Sequence, residues 1–190
     1  MIENWPVYRL EDLCTYITDG AHHSPKSVDK GVPMASVKDM TDFGFDYSSC
    51  RQISEEDYQK LKKGKCEPEI GDVLIAKDGS YLKHCFEFRD TDQKVVLLSS
   101  IAIFRPDFKK TSSKFLKYLF RSPAILGLAR NYVSGVAIPR IVLSDFKRLK
   151  LSIPPLPTQR KIAAILSVYD DLIENNLKRI KLLEEKAQLT

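Results

Sequence analysis

The chain has 190 residues, 43% of them hydrophobic and 29% charged. That is enough apolar matter for a core, enough charge for a soluble chain, and room for one domain with an appendage. No run approaches roughly eighteen uncharged apolar residues, so no transmembrane helix is expected, and eight Gly and ten Pro are too few for a collagen-like or linker-like chain. The net charge of +5 is unevenly placed: residues 1–107 hold 14 Lys+Arg against 19 Asp+Glu, whereas residues 108–152 hold 10 basic residues and the single acid Asp145. Such a basic block is either the footprint of a polyanion or a solvated face offset by the acidic N-terminal part.

In chain order, Met1 to Pro6 has neither a basic nor an apolar leader segment, so a cytoplasmic chain is expected. Tyr8-Arg9-Leu10 reads as an extended start, and Glu11 to Ile17 as a short helix closing at Asp19-Gly20. Ala21 to Lys26 is a polar loop with two imidazoles. Val32 to Val37 reads as a strand that Pro33 confines to a sheet edge. Asp42 to Asp46 is a turn, and Ser54 caps a short helix whose first turn is acidic. The turn Pro68 to Asp72 leads into a buried-looking strand, Val73 to Ala76. Asp78-Gly79 then signals a hairpin with residues 81–88 as the return strand. Val95 to Phe104 is a near-continuous apolar run that reads as one central strand. Helices are expected over Lys114–Leu119 and Pro123–Tyr132, broken by Ser134-Gly135, and Asp145 to Ile153 ends the globular part in a strand. No repeat of domain-building length is visible.

Pro154-Pro155-Leu156-Pro157 forms a stiff hinge, followed by the clearest helix of the chain, Thr158 to the end, about 50 Å long. Ile162, Leu166, Tyr169, Ile173, Asn176, Ile180, Leu183 and Ala187 follow a 3–4 spacing, a heptad seam with one polar member of the kind that fixes register. Either this stripe packs on another helix, from this chain or another, or the helix lies flat on its own domain.

No catalytic constellation stands out. There is no GxGxxG, no GxxxxGK[ST] and no GxSxG, and Ile75 occupies the place where a nuclease would need an acid two residues before Lys77. Cys14, Cys50, Cys66 and Cys85 are scattered, without a CxxC pair, so free thiols rather than a zinc site are expected. Cys85 beside His84 suggests thiol catalysis only weakly, since neighbours on a strand face opposite ways. What remains is a binding protein with loops on a rigid core. Three loops carry suitable groups: Gly20–Lys26, with His22, His23 and Lys26; the hairpin tip Lys77–Tyr81, with Lys77, Ser80 and Tyr81; and Arg130–Arg140, inside the basic block. Arg, Lys, Asn and Ser are residue types that meet phosphates and base edges.

Five pieces of the chain, in order, resemble the specificity subunit of Type I restriction–modification systems. They are Asp19-Gly20-Ala21-His22-His23-Ser24-Pro25 after Leu10-Glu11-Asp12; Gly31-Val32-Pro33 with Ser36-Val37-Lys38-Asp39; Gly71-Asp72-Val73-Leu74-Ile75-Ala76-Lys77-Asp78-Gly79; Ser134-Gly135-Val136-Ala137-Ile138-Pro139-Arg140; and Ile153-Pro154-Pro155-Leu156-Pro157-Thr158-Gln159-Arg160-Lys161-Ile162-Ala163. The tip departs from the family, which often has a second glycine where Leu82 stands. The family usually carries two recognition domains and two conserved helices, whereas this chain has one of each. The resemblance therefore implies a half-subunit, or the N-terminal half of a longer one.

The expected architecture is α+β: a mixed globular target recognition domain over 1–153, the hinge 154–157, and a long coiled-coil helix over 158–190. The resemblance implies that the domain reads half of a bipartite site in double-stranded DNA. The helix would space two domains and dock methyltransferase subunits, joined by restriction subunits and by a second copy or second half. The assembly would methylate adenine with S-adenosylmethionine and cleave DNA with ATP; the chain alone would hold no cofactor, no metal and no catalytic site. Phosphate contacts are expected from Lys109, Lys110, Arg130, Arg140, Lys147 and Arg148, with Lys26 and Lys38 beside them, and base readout from His22, His23, Lys77, Ser80 and Tyr81. The helix interface is expected at Ile162, Leu166, Tyr169, Ile173, Asn176, Ile180 and Leu183. The alternative is a non-catalytic protein–protein interaction module that dimerises through its helix.

Overall fold

A computed structural model describes residues 5–78, 83–89, 93–130 and 141–189, the side chains of 129 and 130 excepted. The chain opens with β1 (Val7–Arg9) and a single helical turn, α1 (Leu10–Leu13), whose Leu10 and Leu13 are buried. The helix expected to run on to Ile17 stops there. Cys14–Asp19 is strand β2, in keeping with the β-branched and aromatic run Thr15-Tyr16-Ile17-Thr18. β3 (Val32–Ala35) leads into a 3₁₀ turn (Val37–Asp39) capped by Ser36, whose hydroxyl accepts the Lys38 N–H. After β4 (Arg51–Ile53), helix α2 (Glu55–Lys63) starts at Ser54, whose Oγ accepts the Asp57 N–H at 3.1 Å.

β5 (Val73–Ala76) is the expected buried strand, and the turn before it accounts for the Gly-Asp that opens its motif. Gly71 has a φ of +87°, which suits a residue without Cβ. Asp72, buried, accepts Arg105 Nε and Nη2, each at 2.9 Å, and the Glu69 N–H at 2.7 Å. β6 (Cys85–Glu87) is the return strand. The apolar run expected as one strand is two, β7 (Val96–Leu97) and β8 (Ile101–Pro106), with Leu98–Ser100 stepping between sheets. Helices α3 (Ser113–Arg121) and α4 (Pro123–Arg130) follow, then α5 (Leu143–Arg148) and β9 (Lys150–Ser152). The last stretch is therefore half helix, where a strand alone was expected.

The strands form a four-stranded antiparallel sheet in the order β2-β8-β5-β6, a three-stranded sheet β4-β3-β7, and the pair β1-β9. Pro33 is not on an edge: β3 is the middle strand. It is tolerated there because β7 pairs only with Met34 and Ala35, although on the other side Pro33 stands opposite Gln52 of β4. The larger sheet is covered on both faces, so side chains alternate between two cores. Val73, Ile75, Ala102 and Phe104 join Leu10, Leu13, Phe115, Phe120 and Phe146 on the helical side. Leu74, Ala76, Ile101 and Ile103 join Ala35, Phe86 and Leu97 on the other. Phe104, Phe120 and Phe146 form a triangle of rings, with centroids 5.4, 5.2 and 6.3 Å apart, that fastens α3 and α5 to β8.

The long helix α6 spans Leu156–Gln188, beginning two residues before the expected start, with Pro157 in its first turn. Of the two preceding prolines, Pro154 is part of the packing: it is buried and its carbonyl accepts Gln159 Nε2 at 2.9 Å, while Pro155 is exposed. The observed class is thus the expected one, a mixed α+β body with a long C-terminal helix.

Candidate nucleic-acid interface

β2 and β5 flank β8 and are both antiparallel to it, so they run the same way and finish at one end of the sheet. Asp19, the last residue of β2, pairs with Ala102, and Ala76, the last of β5, with Ile101. The residues that follow these strands, the loop Gly20–Lys26 and the pair Lys77-Asp78, therefore leave the core side by side.

Several bonds hold this end together. The Gly20 N–H reaches Ile101 O, Ala21 N–H reaches Leu97 O at 2.7 Å, and Ser99 N–H returns to Ala21 O at 2.9 Å. The approach admits only glycine at position 20: a Cβ there would stand 2.1 Å from Leu97 O. Arg51 donates from its guanidinium to Ser24 Oγ and to Pro25 O, tying the loop to β4. The Lys77 N–H donates to Ser100 O, and Lys77 O accepts the N–H of Ile141, which brings the chain after the third loop to the same place. Ser100 Oγ accepts the Val37 N–H at 3.2 Å, so the turn bearing Lys38 is also a neighbour. His84 closes the rim, with Nδ1 3.1 Å from Asp42 Oδ1.

The predicted residues divide accordingly. His22, His23, Lys26 and Lys38 are exposed at or beside this end. His22 Nε2 lies 3.1 Å from Asp19 Oδ1, a bond in which the ring nitrogen is the donor because a carboxylate only accepts. Lys77 is at this end but 0% exposed, its Nζ 3.4 Å from Asp19 Oδ2 and 3.5 Å from Asp78 Oδ1. It sits beneath the loops, where an exposed tip was expected. Ser80, Tyr81 and Arg140 lie outside the described residues; Arg130 ends α4, and its side chain is likewise outside them. Lys109, Lys110, Lys147 and Arg148 are elsewhere. They gather around α1, where β2 begins: Lys110 Nζ donates to Asp12 O at 2.8 Å and pairs with Asp107, while Lys147 and Arg148 end α5 next to Leu149, whose carbonyl accepts the Leu10 N–H. The basic block of the sequence is therefore split between regions of the molecule.

The thiols have no nucleophilic setting. Burial pushes the Cys85 thiol up to about 12, and its Sγ donates to Lys117 O, away from His84. Cys14 and Cys50 are also pushed to about 12 by burial, with further contributions from nearby carboxylates. Among the described residues, no three His, Cys, Asp or Glu side chains group so as to hold a metal, and no helix is long and apolar enough to cross a membrane.

The second surface is α6. Ile162 and Ala163 dock it on the core, but the rest of its docking face is polar, which the apolar pattern did not announce. Buried Gln159 accepts from Thr111 Oγ1 at 2.8 Å and donates to Lys110 O and Pro154 O. Asp170 accepts Lys117 Nζ at 2.7 Å and Tyr118 OH at 2.9 Å, and Glu174 accepts Arg89 Nη2 at 3.2 Å. The seam itself is left open: Leu166, Tyr169, Ile173, Ile180 and Leu183 are 38% to 66% exposed and Asn176 lies among them, while Ile162 is half-buried against the core. The helix lies along its own domain on one face and presents the predicted stripe on another.

Comparison with known proteins agrees with this architecture. A family model described as the Type I restriction modification DNA specificity domain matches residues 2–185. The MjaVIII specificity subunit, of a type I restriction enzyme of Methanocaldococcus jannaschii, is 25% identical over 187 residues, 96% of this chain and 40% of its own. The S subunit of a Type I restriction–modification system from M. genitalium superposes with a TM-score of 0.61 at 20% identity, over 90% of this chain and 40% of that one. The HsdS subunit from Thermoanaerobacter tengcongensis does so with 0.61 at 18%, over 92% and 44%. The chain spans less than half the length of the curated relatives it matches. A sheet whose strand ends gather the loops, a long helix with an open seam, and a family model covering nearly every residue lead to one assignment: the chain belongs to the Type I restriction modification DNA specificity domain family.

Proposed function

We propose that this chain reads one half of a bipartite site in double-stranded DNA for a Type I restriction–modification complex, with residues 1–153 as the recognition domain. Residues 154–157 join it to the helix of 158–190, which sets the spacing to a second recognition domain and docks the methyltransferase subunits, to which restriction subunits are added. The chain performs no chemistry of its own in this reading. The observation that carries it is the convergence of the Gly20–Lys26 loop, Lys77-Asp78 after β5, Ile141 and the Lys38 turn at one end of one sheet. Loops on strand ends offer side chains at fixed spacing to a groove, with a rigid body behind them. His22, His23, Lys26 and Lys38 supply donors there, and the two histidines can also accept.

The test is the affinity of the chain, alone and with its methyltransferase partner, for duplex DNA across a salt series by fluorescence anisotropy. Binding that weakens with salt is expected. Lys26→Ala and Lys38→Ala should each lower the log–log slope by about 0.9 if the lysine meets a phosphate. His22→Ala should instead change the preference at one base position by about 1–3 kcal/mol. Absence of salt-dependent duplex affinity in both preparations, beside self-association through the helix, would replace this reading with the interaction module that the open stripe of α6 also fits.

A further inference from the structure

We propose that Asp170 is the positioning residue of the long helix: by binding Lys117 and Tyr118 of α3 it fixes the direction in which α6 leaves the globular part. On the function proposed above, which this inference rests on, that direction sets the distance between the two half-sites.

The argument starts from where α6 is attached. Gln159, in the first turn of the helix, bonds through its side chain to Lys110, Thr111, Ser112 and Pro154. Ala163, one turn on, is the last buried side chain of the helix. These contacts fix where the helix starts but act as a pivot. Past Ala163 the attachment is polar. Asp170 Oδ2 holds Lys117 Nζ at 2.7 Å and Tyr118 OH at 2.9 Å, with Arg121 Nη1 at 3.7 Å, and its side chain is 15% exposed. The Lys117 ammonium also lies 4.1 Å from the centre of the Tyr118 ring, so the pair is presented as a unit. Glu174 meets Arg89 through a single bond, and that arginine is 48% exposed, a weaker tie. Asp170 stands eleven residues beyond Gln159, about 16 Å along the axis, and two fixed points define a line.

The leverage is large. From the pivot at Gln159 to Gln188 the helix extends ~44 Å, so a tilt of ~10° moves its tip by ~8 Å. One base-pair step is about 3.4 Å. A helix used as a spacer must therefore be held to within a few degrees, and Asp170 is the charged contact placed to do it.

The experiment is a distance measurement between spin labels in the full chain, diluted into unlabelled chain and without DNA. Labels sit on Lys63→Cys and Glu185→Cys in a Cys14→Ser background; Lys63→Cys with Lys114→Cys serves as a control pair inside the globular part. In Asp170→Asn and Asp170→Ala the helix-pair distribution should broaden to about twice the parent width, with the control pair unchanged. Asp170→Glu, which keeps the carboxylate, should recover most of the narrow distribution. An unchanged width in Asp170→Ala overturns the proposal. If that variant does not fold, Lys117→Met with Tyr118→Phe removes the same contact from α3 and carries the same expectation. Because no DNA is present, the clamp and the DNA reading fail separately: broadening in a chain that never binds duplex keeps the clamp, and salt-dependent duplex binding with unchanged width removes it.

Discussion

The ammonium of Lys77 has no contact with solvent, and the carboxylates of Asp19 and Asp78 stand 3.4 and 3.5 Å from it. A buried charge persists only when paired, and this one ties the end of β2 to the end of β5. Asp19 serves two neighbours, Lys77 on one oxygen and His22 on the other, so the buried pair also orients an exposed imidazole. Lys77→Met fits the volume but leaves two carboxylates without their shared cation. It should lower stability by about 3 kcal/mol, read as an earlier urea midpoint at unchanged slope. A neutral substitution would show that the loops are held by their main-chain bonds alone. Lys-Asp-Gly in the sequence announces a turn, and turns are exposed as a rule. Nothing local says that a partner acid 58 residues earlier draws the lysine inward.

At the scale of elements, local pattern was a good guide where it alone decides, as for the Ser54 cap of α2 and the 3–4 spacing of the helix from Leu156. It failed where an apolar run serves two sheets. Val96–Leu97 pairs with β3 and Ile101–Pro106 with β2 and β5, and the step between them is made by Ser99-Ser100, whose polar groups are used by Ala21, Val37 and Lys77. The docking of α6 was illegible for the opposite reason: Gln159, Asp170 and Glu174 look like a solvated face until α3 and Arg89 are placed opposite. For Asp170, burial favours the neutral acid but is outweighed by hydrogen bonds from Lys117 and Tyr118; for Glu174, by those from Lys178 and Arg89. Both carboxyls are therefore held below their ordinary values of 3.8 and 4.5. A lowered folded value stabilises the fold above the ordinary value and ceases to do so as the pH falls through the lowered one. The difference in melting temperature between the parent and Asp170→Asn should accordingly be full at pH 6 and shrink toward pH 3. A gap that stays constant on acidification would mean that the charge of Asp170 contributes nothing.

For the whole molecule, the exposed seam of α6 calls for a cover. Side chains such as Ile173, Ile180 and Leu183, half to two-thirds exposed, each stand to gain about 1–2 kcal/mol from burial, and a single helix cannot bury its stripe on itself. Light scattering over a concentration series should show a dimer forming. Ile173→Asp should return it to monomer, and Asn176→Leu should tighten it at the cost of a unique register. A chain that stays monomeric at high concentration would assign the seam to another partner.

Family, fold class and the seam of the long helix were all legible in the order of residues, because each rests on local pattern: motifs in sequence, apolar spacing, caps and prolines. So was the loop after β2, on which His22, His23 and Lys26 are exposed, as is Lys38 on the turn after β3. Assembly was not legible. That two strands end side by side, that Lys77 lies beneath the loops rather than on them, that the basic block divides around α1, and that Asp170 finds Lys117 all depend on contacts between residues far apart in the chain. Charge counted along a sequence carries no direction in space. Only the packing of the sheet and its helices turns a run of lysines and arginines into separate surfaces, and gives a helix of known length a direction.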